Sequence, residues 1–454
     1  MTDTSPYVRI VVLNFDGWQM TMDCLASLLA TEWPADRFEI VMVDNGSLDD
    51  VVARVRAEMP SVRIVEPLRN TGFAGGCNLG IRAPGPYDYV ALINNDATVD
   101  PGWLRPLVDA ACSDDRVGAV AAKMLFDGSF LEATLDVPDA ARIAPDPRTL
   151  GVRLIAARID GQRDDDRLDF DEGWFASEPP VRSTGEELAR WSWRQGRVRV
   201  RVDDTPAARL DLRFSSPRVR HATLWTEVSS ASAEIGAVPT WLSVELDEKP
   251  FDVIQNAGSA IYPGGFGGDR GFLERDHGQY DQPGEVFAWC GGAVLLSKAY
   301  LDDVGLFDER LFLYYEDLDL SWRGRLRGWR YRYAPTSIVR HRHAASSGGP
   351  TSPVFQYHTQ RNRVLVLAKN APAGLAARQG VGVVKRAVGV NVRDLIARPL
   401  TLHAPQRAHA AHQRRVLAGY LRLLPAMLRD RWRRGRVVTR RSLMRWTLTK
   451  ETAR

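Results

Sequence analysis

The chain has 454 residues, enough for two or three domains with ample core. No run of about 18 apolar residues occurs, which argues against a spanning helix, and Met1-Thr-Asp-Thr-Ser5 lacks the charged-then-apolar order of a secretory signal. The net charge of +4 conceals an asymmetry: residues 371–454 hold 19 Lys/Arg against 3 Asp/Glu, so a tail of +16 follows a body of −12. Cys24, Cys77, Cys112 and Cys290 lie far apart without paired metal spacing, and read as reduced thiols of a cytosolic protein.

Taken in order, Val8 to Leu13 is an apolar strand ending at Asn14. Met22, Leu25, Leu28 and Leu29 then recur at helical spacing. Phe38 to Val43 is the next strand and ends at Asp44-Asn45-Gly46-Ser47. A helix to about Met59, a short strand at Val62–Val65 and the loop Arg69–Asn78 follow. The run Tyr89 to Ile93 reads as a strand buried on both faces, broken by Asn94-Asn95-Asp96. Pro101 opens a helix toward Ala111, and Val117 to Met124 is a further strand. Alternation at this interval predicts a doubly wound parallel sheet. Asn14, Asp44 and Asp96 then stand at its carboxyl edge, where open α/β folds hold ligands. A carboxylate among amides suits a hard divalent cation on a diphosphate, although an Asp before a helix also serves as a cap. The glycines at 72, 75 and 76 allow close approach of a phosphate to a helix start. Neither Gly-x-Gly-x-x-Gly nor a Gly-Lys-Ser/Thr loop is present.

Val43-Asp-Asn-Gly-Ser47, Asn70-Thr-Gly-Phe-Ala-Gly-Gly-Cys-Asn78 and Asn94-Asn-Asp-Ala-Thr98 together resemble the family 2 glycosyltransferases, most of all the rhamnosyltransferase-like group. The resemblance implies a GT-A fold, the Rossmann-like doubly wound sheet of nucleotide-sugar transferases. It implies that Asp44 holds the nucleobase and that Asn70, Gly72, Phe73, Gly75 and Asn78 frame the nucleotide. Asn14, Asn45, Asn94 and Asn95 complete that cradle, and Asp96 is the metal-binding end of an Asp-x-Asp motif whose first position here is Asn94.

From about residue 130 to 250 the α/β rhythm stops. Val198, Val200 and Val202, then Leu210, Leu212 and Phe214, then Leu242, Val244 and Leu246 alternate with polar residues. Strict period two predicts an inserted β-sandwich-like domain. Its Trp174, Trp191, Trp193, Trp225 and Trp241 either fill a small core or offer sugar-stacking platforms.

The α/β pattern returns over residues 251–370. Ala288 to Ser297 reads as a strand loosened by glycine, Leu301 to Leu306 as a helix, and Gly264–Gly271 and Asp276–Asp281 as mobile loops over the acceptor. Glu316, Asp317 and Asp319 open an amphipathic helix behind Phe312, Tyr314 and Tyr315. Acids there satisfy a helix dipole, and carboxylates against aromatic walls also lose hydration and become better bases. By the resemblance, Asp317 is the general base, Glu316 orients it or the acceptor, and His341 supplies a metal ligand, within the tandem His341-Arg-His343. Arg361-Asn-Arg363 either touches phosphate or forms a solvated helix face.

The tail beyond residue 371 is Arg/Ala/Leu-rich. Val416, Leu417, Tyr420, Leu423 and Leu424 form a helical stripe, and Trp432 and Trp446 interleave with arginines. An anionic membrane surface, nucleic acid or the acidic body could each receive it. The enzyme reading favours the membrane, without nucleic acid.

The expected function is thus a metal-dependent (Mg²⁺ or Mn²⁺) inverting glycosyltransferase of cell-envelope synthesis. The expected donor is a nucleoside diphosphate sugar, dTDP-rhamnose-like or UDP-linked, and the acceptor a glycan or lipid-linked glycan. Its expected location is the cytoplasm, peripheral on the inner face of the plasma membrane. The alternatives are a nucleotidyltransferase acting on a sugar phosphate and a non-catalytic glycan-binding protein.

Overall fold

Strands whose polar tips were aligned by sequence do share one sheet in the computed structural model. The structure describes all residues except 1–4, 143–145, 147, 171, 179–185, 203–206, 247–248, 343–351, 395–406 and 449–454, so His343 lies outside the described residues. The chain divides into two compact units, one of residues 1–127, 254–272 and 278–454, the other of residues 128–253 and 273–277.

Elements of the first unit are numbered in chain order. They begin β1 (Val8–Asn14), α1 (Trp18–Leu29), β2 (Phe38–Asp44), α2 (Val51–Glu58), β3 (Arg63–Val65) and α3 (Gly72–Ile81). Next come β4 (Tyr89–Asn94), β5 (Ala97–Val99), α4 (Leu104–Cys112) and β6 (Val117–Phe126). After the second unit follow β7 (Ile254–Asn256), β8 (Ser259–Tyr262), β9 (Phe266–Asp269), β10 (Gly284–Glu285) and β11 (Ala293–Ser297). The remainder is α5 (Lys298–Val304), α6 (Glu316–Leu326), β12 (Arg330–His341), α7 (Pro353–Asn370), α8 (Ala373–Val392) and α9 (Arg407–Arg433).

The main sheet runs β10-β12-β6-β11-β4-β1-β2-β3. Strands β3, β2, β1 and β4 are parallel, with Asn14 opposite Asp44 and Leu13 opposite Asn94. The sheet is mixed rather than purely parallel, because β11 lies antiparallel between β4 and β6. The chain reaches β11 from the edge carrying the polar tips, through Trp289–Gly292, and from that edge it can only run back against β4. Helices cover both faces. Helix α4 inserts Leu104, Leu107, Val108 and Ala111 into one core, each large side chain contributing about 1.5–3 kcal/mol. Ala74 and Cys77 of α3, with Tyr300 of α5 and Leu320 of α6, enter the other.

Three readings change here. Residues 264–271 belong to a β8–β9 hairpin rather than to a mobile loop, since Gly264 and Gly265 supply the positive φ its turn requires. The strand expected from Ala288 starts only at Ala293. The stripe on α9 is internal: Val416, Tyr420 and Met427 are buried, and Tyr420 shares a core with α7. Trp446 packs against Phe287 and Arg325, whereas Trp432 is exposed. Among the described residues no helix is long and apolar enough to cross a membrane.

Among the described residues the second unit holds two antiparallel sheets of four and five strands and a short pair, Ala141–Arg142 with Thr149–Leu150. Val198, Val200, Leu210, Leu212, Phe214, Leu242 and Val244 are all buried in one core, as period two requires. Trp174 and Trp191 are buried, while Trp193, Trp225 and Trp241 are exposed. Arg199, on the face opposite those valines, is buried and paired with Glu132, and it also donates to the Leu273 carbonyl.

Behind α6, Lys369 Nζ lies 2.9 Å from Asp319 and 2.6 Å from Asp308, and Arg323 Nε donates to Asp319 at 2.8 Å. Lys369→Met would remove the buried cation shared by Asp319 and Asp308, leaving each with one arginine, Arg323 and Arg310. It should lower the stability of the first unit by roughly 1.5–3 kcal/mol. Urea unfolding checks this, and an unchanged midpoint would contradict it.

Candidate active site

The tips of β1, β2 and β4 are laced by side chains. Asn14 Nδ2 donates to Asp44 Oδ1 and Ser47 Oγ, both at 2.8 Å. Asn14 Oδ1 accepts from Thr21 Oγ1 at 2.6 Å and Asn95 Nδ2 at 3.0 Å. Asn45 holds the start of α3, receiving the Thr71 N–H at 2.8 Å and donating to the Gly72 carbonyl at 3.1 Å. Asn70 Oδ1 accepts from Gly72 N–H at 2.8 Å.

Over this edge lies a cavity of about 770 Å³. Of the residues named by sequence, Asn45, Asn70, Gly72, Phe73, Asn94, Asn95, Asp96, Glu316, Asp317 and His341 line it. Asn14, Asp44, Gly75 and Asn78 do not. Asn14 and Asp44 are engaged with one another beneath the rim. Asn78, read as framing the nucleotide, is instead a buried clamp: it donates to the Phe307 carbonyl at 3.0 Å and accepts the Phe307 N–H at 3.0 Å. Gly75 sits within α3, and a Cβ there would meet the Thr71 side chain.

One wall holds Asn94, Asp96 and His341. His341 Nδ1 lies 2.8 Å from Gln255 Oε1, and in the neutral tautomer that donates there Nε2 keeps its lone pair. That nitrogen accepts from Asn94 Nδ2 at 3.0 Å and stands 2.8 Å from Asp96 Oδ1. Two lone-pair donors facing each other suit a shared cation, since adjacent ligands on a small octahedral ion sit roughly 3 Å apart. Asp96 and His341 therefore fit a divalent metal, and Asp96 caps no helix: α4 begins after Trp103.

The other wall is the start of α6, reached through a strained segment. Phe312, Tyr314 and Tyr315 have φ of 69°, 66° and 70°, a region costing on the order of 1 kcal/mol or more per residue. Asn362 Nδ2 lies 2.9, 2.9 and 2.7 Å from the carbonyls of Leu311, Leu313 and Tyr314 and donates to them, and Arg361 donates to Leu311 at 2.8 Å. Gly72, at φ 71°, admits the Phe312 carbonyl where a Cβ would approach within 2.4 Å. Arg361 and Asn362 thus hold backbone rather than phosphate. Arg363 does line the cavity, its guanidinium 4.1 Å from the Phe266 ring centre.

Asp317 Oδ1 receives the Leu318 N–H at 2.6 Å and Oδ2 the Gly291 N–H at 3.3 Å. Gly291 permits this approach, because a Cβ there would meet the Phe73 ring at 2.9 Å. Burial lifts the Asp317 carboxyl to about 6, with the charge of Asp269 adding to the rise. Burial, then the charge of Asp317, pushes Glu316 well above the usual carboxylate range, and its Oε2 is buried without a hydrogen-bond partner. Asp319 belongs to the ion network behind α6.

Asp269, on β9, was missed by sequence reasoning. It lines the cavity, accepts from Ser259 Oγ at 3.2 Å and Asn256 Nδ2 at 2.5 Å, and is raised by burial. Gln255, Asn256, Ser259 and Trp289 were missed too. The only signal for Asp269 was a carboxylate directly after Gly267-Gly268.

Residues 9–154 match the family described as Glycosyl transferase family 2. Over 72 residues the chain is 40% identical to the N-acetylglucosaminyl-diphospho-decaprenol L-rhamnosyltransferase of Mycobacterium tuberculosis, covering 15% of this chain and 24% of that protein. The chain thus matches about a quarter of the length of these curated relatives. Among solved structures, GalNAc-T7 with UDP, GalNAc and Mn²⁺ gives a TM-score of 0.42 at 12% identity, covering 81% of this chain and 48% of that one. A mannosyltransferase of Pyrobaculum calidifontis with GDP-Man and Mn²⁺ gives 0.41 at 13% identity, covering 92% and 87%.

Since folded Asp317 titrates above the unfolded value of roughly 4, its protonated form favours the fold at low pH. That contribution is lost as pH rises through about 6. A carbon-detected NMR titration should find the Asp317 midpoint near 6, and Asp269→Asn should move it downward. A midpoint unmoved by that change would remove Asp269 from the electrostatics of Asp317.

Proposed function

Proceeding from a family 2 glycosyltransferase segment at residues 9–154, in an α/β fold of the GT-A kind, we propose that the chain transfers a sugar from a nucleoside diphosphate sugar to a glycan hydroxyl, inverting the anomeric carbon. The observation that carries this reading is that Asp96 with His341 and Asp317 with Glu316 line one cavity. Asn45, Asn70 and the start of α3 offer polar groups to the nucleotide, and helix starts welcome phosphate.

Asp96 and His341 would hold a divalent ion, Mg²⁺ or Mn²⁺, which when bound offsets charge on the departing diphosphate. Asp317 takes the proton of the attacking hydroxyl, and a carboxyl raised to about 6 is a stronger base than an ordinary one while still ionised at neutral pH. Burial favours the protonated form of Glu316, which lessens the negative charge beside Asp317. One base and one displacement give inversion, whereas retention through a covalent intermediate needs a carboxylate nucleophile. Asn256 and Ser259 hold Asp269 by hydrogen bonds, which suits an electrostatic role. Of the two donors, dTDP-rhamnose-like or UDP-sugar, the likeness to the mycobacterial rhamnosyltransferase supports the first, and it supports a lipid-linked glycan acceptor.

A peripheral seat on the cytoplasmic face of an anionic membrane belongs to the same reading. Its support is an exposed stripe on α8, Val381, Val384, Val388 and Val392, beside Lys385 and Arg386. Val384→Glu with Val388→Glu should abolish co-sedimentation with anionic vesicles, and undiminished binding would sink that part.

Asp317→Asn should cut nucleoside diphosphate release by roughly 10³-fold or more while nucleotide affinity stays near wild type, as loss of a general base requires. Turnover within a few-fold of wild type would exclude Asp317 as the base. Asp96→Ala should abolish the metal dependence of donor binding. Donor affinity in wild type that is equal with and without chelator would refute the metal role.

A further inference from the structure

Behind α6, away from the cavity already described, is a second hollow of about 220 Å³. Its lining includes Arg431, Arg434, Arg436 and Arg440, all from the end of α9 and the segment after it, together with Arg327 and Lys369. The charges are not balanced in kind. Lys369 is committed to Asp308 and Asp319, and Arg327 to Asp303. The two lining carboxylates are engaged as well, Asp303 by Arg327 and Asp430 by Arg310.

None of the other four arginines forms an ion pair with a described carboxylate. Arg431 Nη1 donates to the carbonyls of Ala368 and Ala371 at 3.0 and 2.7 Å, and Arg434 Nη1 to that of Val304 at 3.0 Å. Arg440 Nη2 donates to the Arg431 carbonyl at 3.0 Å, while its Nε is out of solvent without a partner. These contacts position the guanidinium groups, and only at Arg434 do nearby carboxylates, Asp319, Asp430 and Asp308, offset part of the charge. Burial, then repulsion from Arg431 and Arg436, lowers Arg440 to about 10, and burial lowers Arg431 and Arg434 too. Arg431 and Arg440 are half-buried and Arg434 and Arg436 exposed, and gathering like charges around one hollow is unfavourable unless an anion completes it. Planar guanidinium forks match phosphate oxygens two at a time.

We propose that this hollow is a binding site for a phosphate group, held chiefly by Arg431, Arg434 and Arg440 and separate from the donor cavity. The phosphate is either free in solution or the head group of an anionic phospholipid, and the chemistry of recognition is the same for both.

The test reads each arginine in the full-length wild-type chain. Phenylglyoxal labelling is followed by peptide mass spectrometry, with and without inorganic phosphate, using exposed Arg422 as reference. Labelling at Arg431, Arg434 and Arg440 should slow roughly ten-fold with phosphate, and at Arg422 hardly at all. A second arm replaces phosphate with phosphatidic acid in phosphatidylcholine vesicles. Protection in both arms assigns a lipid head group, and protection by phosphate alone assigns a soluble ligand. Equal labelling of all three arginines in both arms overturns the site. Arg434→Ala with Arg440→Ala should then remove the protection of Arg431 while leaving nucleotide affinity at the donor cavity unchanged. If that pair fails to fold, the wild-type labelling decides alone.

Discussion

The site depends on a short piece of unfavourable backbone. Phe312, Tyr314 and Tyr315 stand in the left-handed region, where non-glycine residues lose energy. They stay there because Asn362 and Arg361 gather the free carbonyls and because Gly72 leaves room for one of them. Without that clamp the chain has no reason to turn so tightly before α6. With it, Glu316 and Asp317 are delivered to the cavity as the first residues of a helix anchored from behind by Asp319, Arg323 and Lys369.

The two walls are electrically distinct. At the tips of β4 and β12, neutral amides surround one carboxylate and one imidazole, an arrangement that draws in a cation. At α6, three carboxylates, Asp269, Glu316 and Asp317, share the cavity, and the arginine that also lines it, Arg363, lies over the Phe266 ring. Burial resolves the crowding by favouring protonation, most of all at Glu316. Asp317 keeps two backbone N–H donors that partly oppose the rise, so it remains the carboxyl able to titrate near 6. A leaving group and an incoming hydroxyl make opposite demands, and the two walls match them.

The sheet and its polar tips were readable because alternation and burial impose a period on side chains. Val8–Leu13 and Tyr89–Ile93 carry it, and Asn14 ends up in register with Asp44, with Asn94 one step back, opposite Leu13. Strand direction carries no such imprint: Ala293–Ser297 is as apolar as a parallel strand, yet it runs antiparallel. The α9 stripe was ambiguous for a related reason, since an apolar face looks the same whether protein or lipid covers it. Asp269 was illegible because glycine-rich hairpins have no period. Arg361 and Asn362 were misread because a polar pair announces donors but not whether a phosphate or a carbonyl accepts them. Asn78 shows the same limit, an amide inside a ligand-like motif that serves the backbone of Phe307.

One cavity carries both a cation pole and a base pole. The direct measurement is a crystal structure with a nucleoside diphosphate and Mn²⁺, read by anomalous scattering. The expected result is a peak roughly 2–2.5 Å from Asp96 and His341, the diphosphate against the same pole, and open space toward Asp317. Manganese bound elsewhere, or a nucleotide lying outside this cavity, would contradict it.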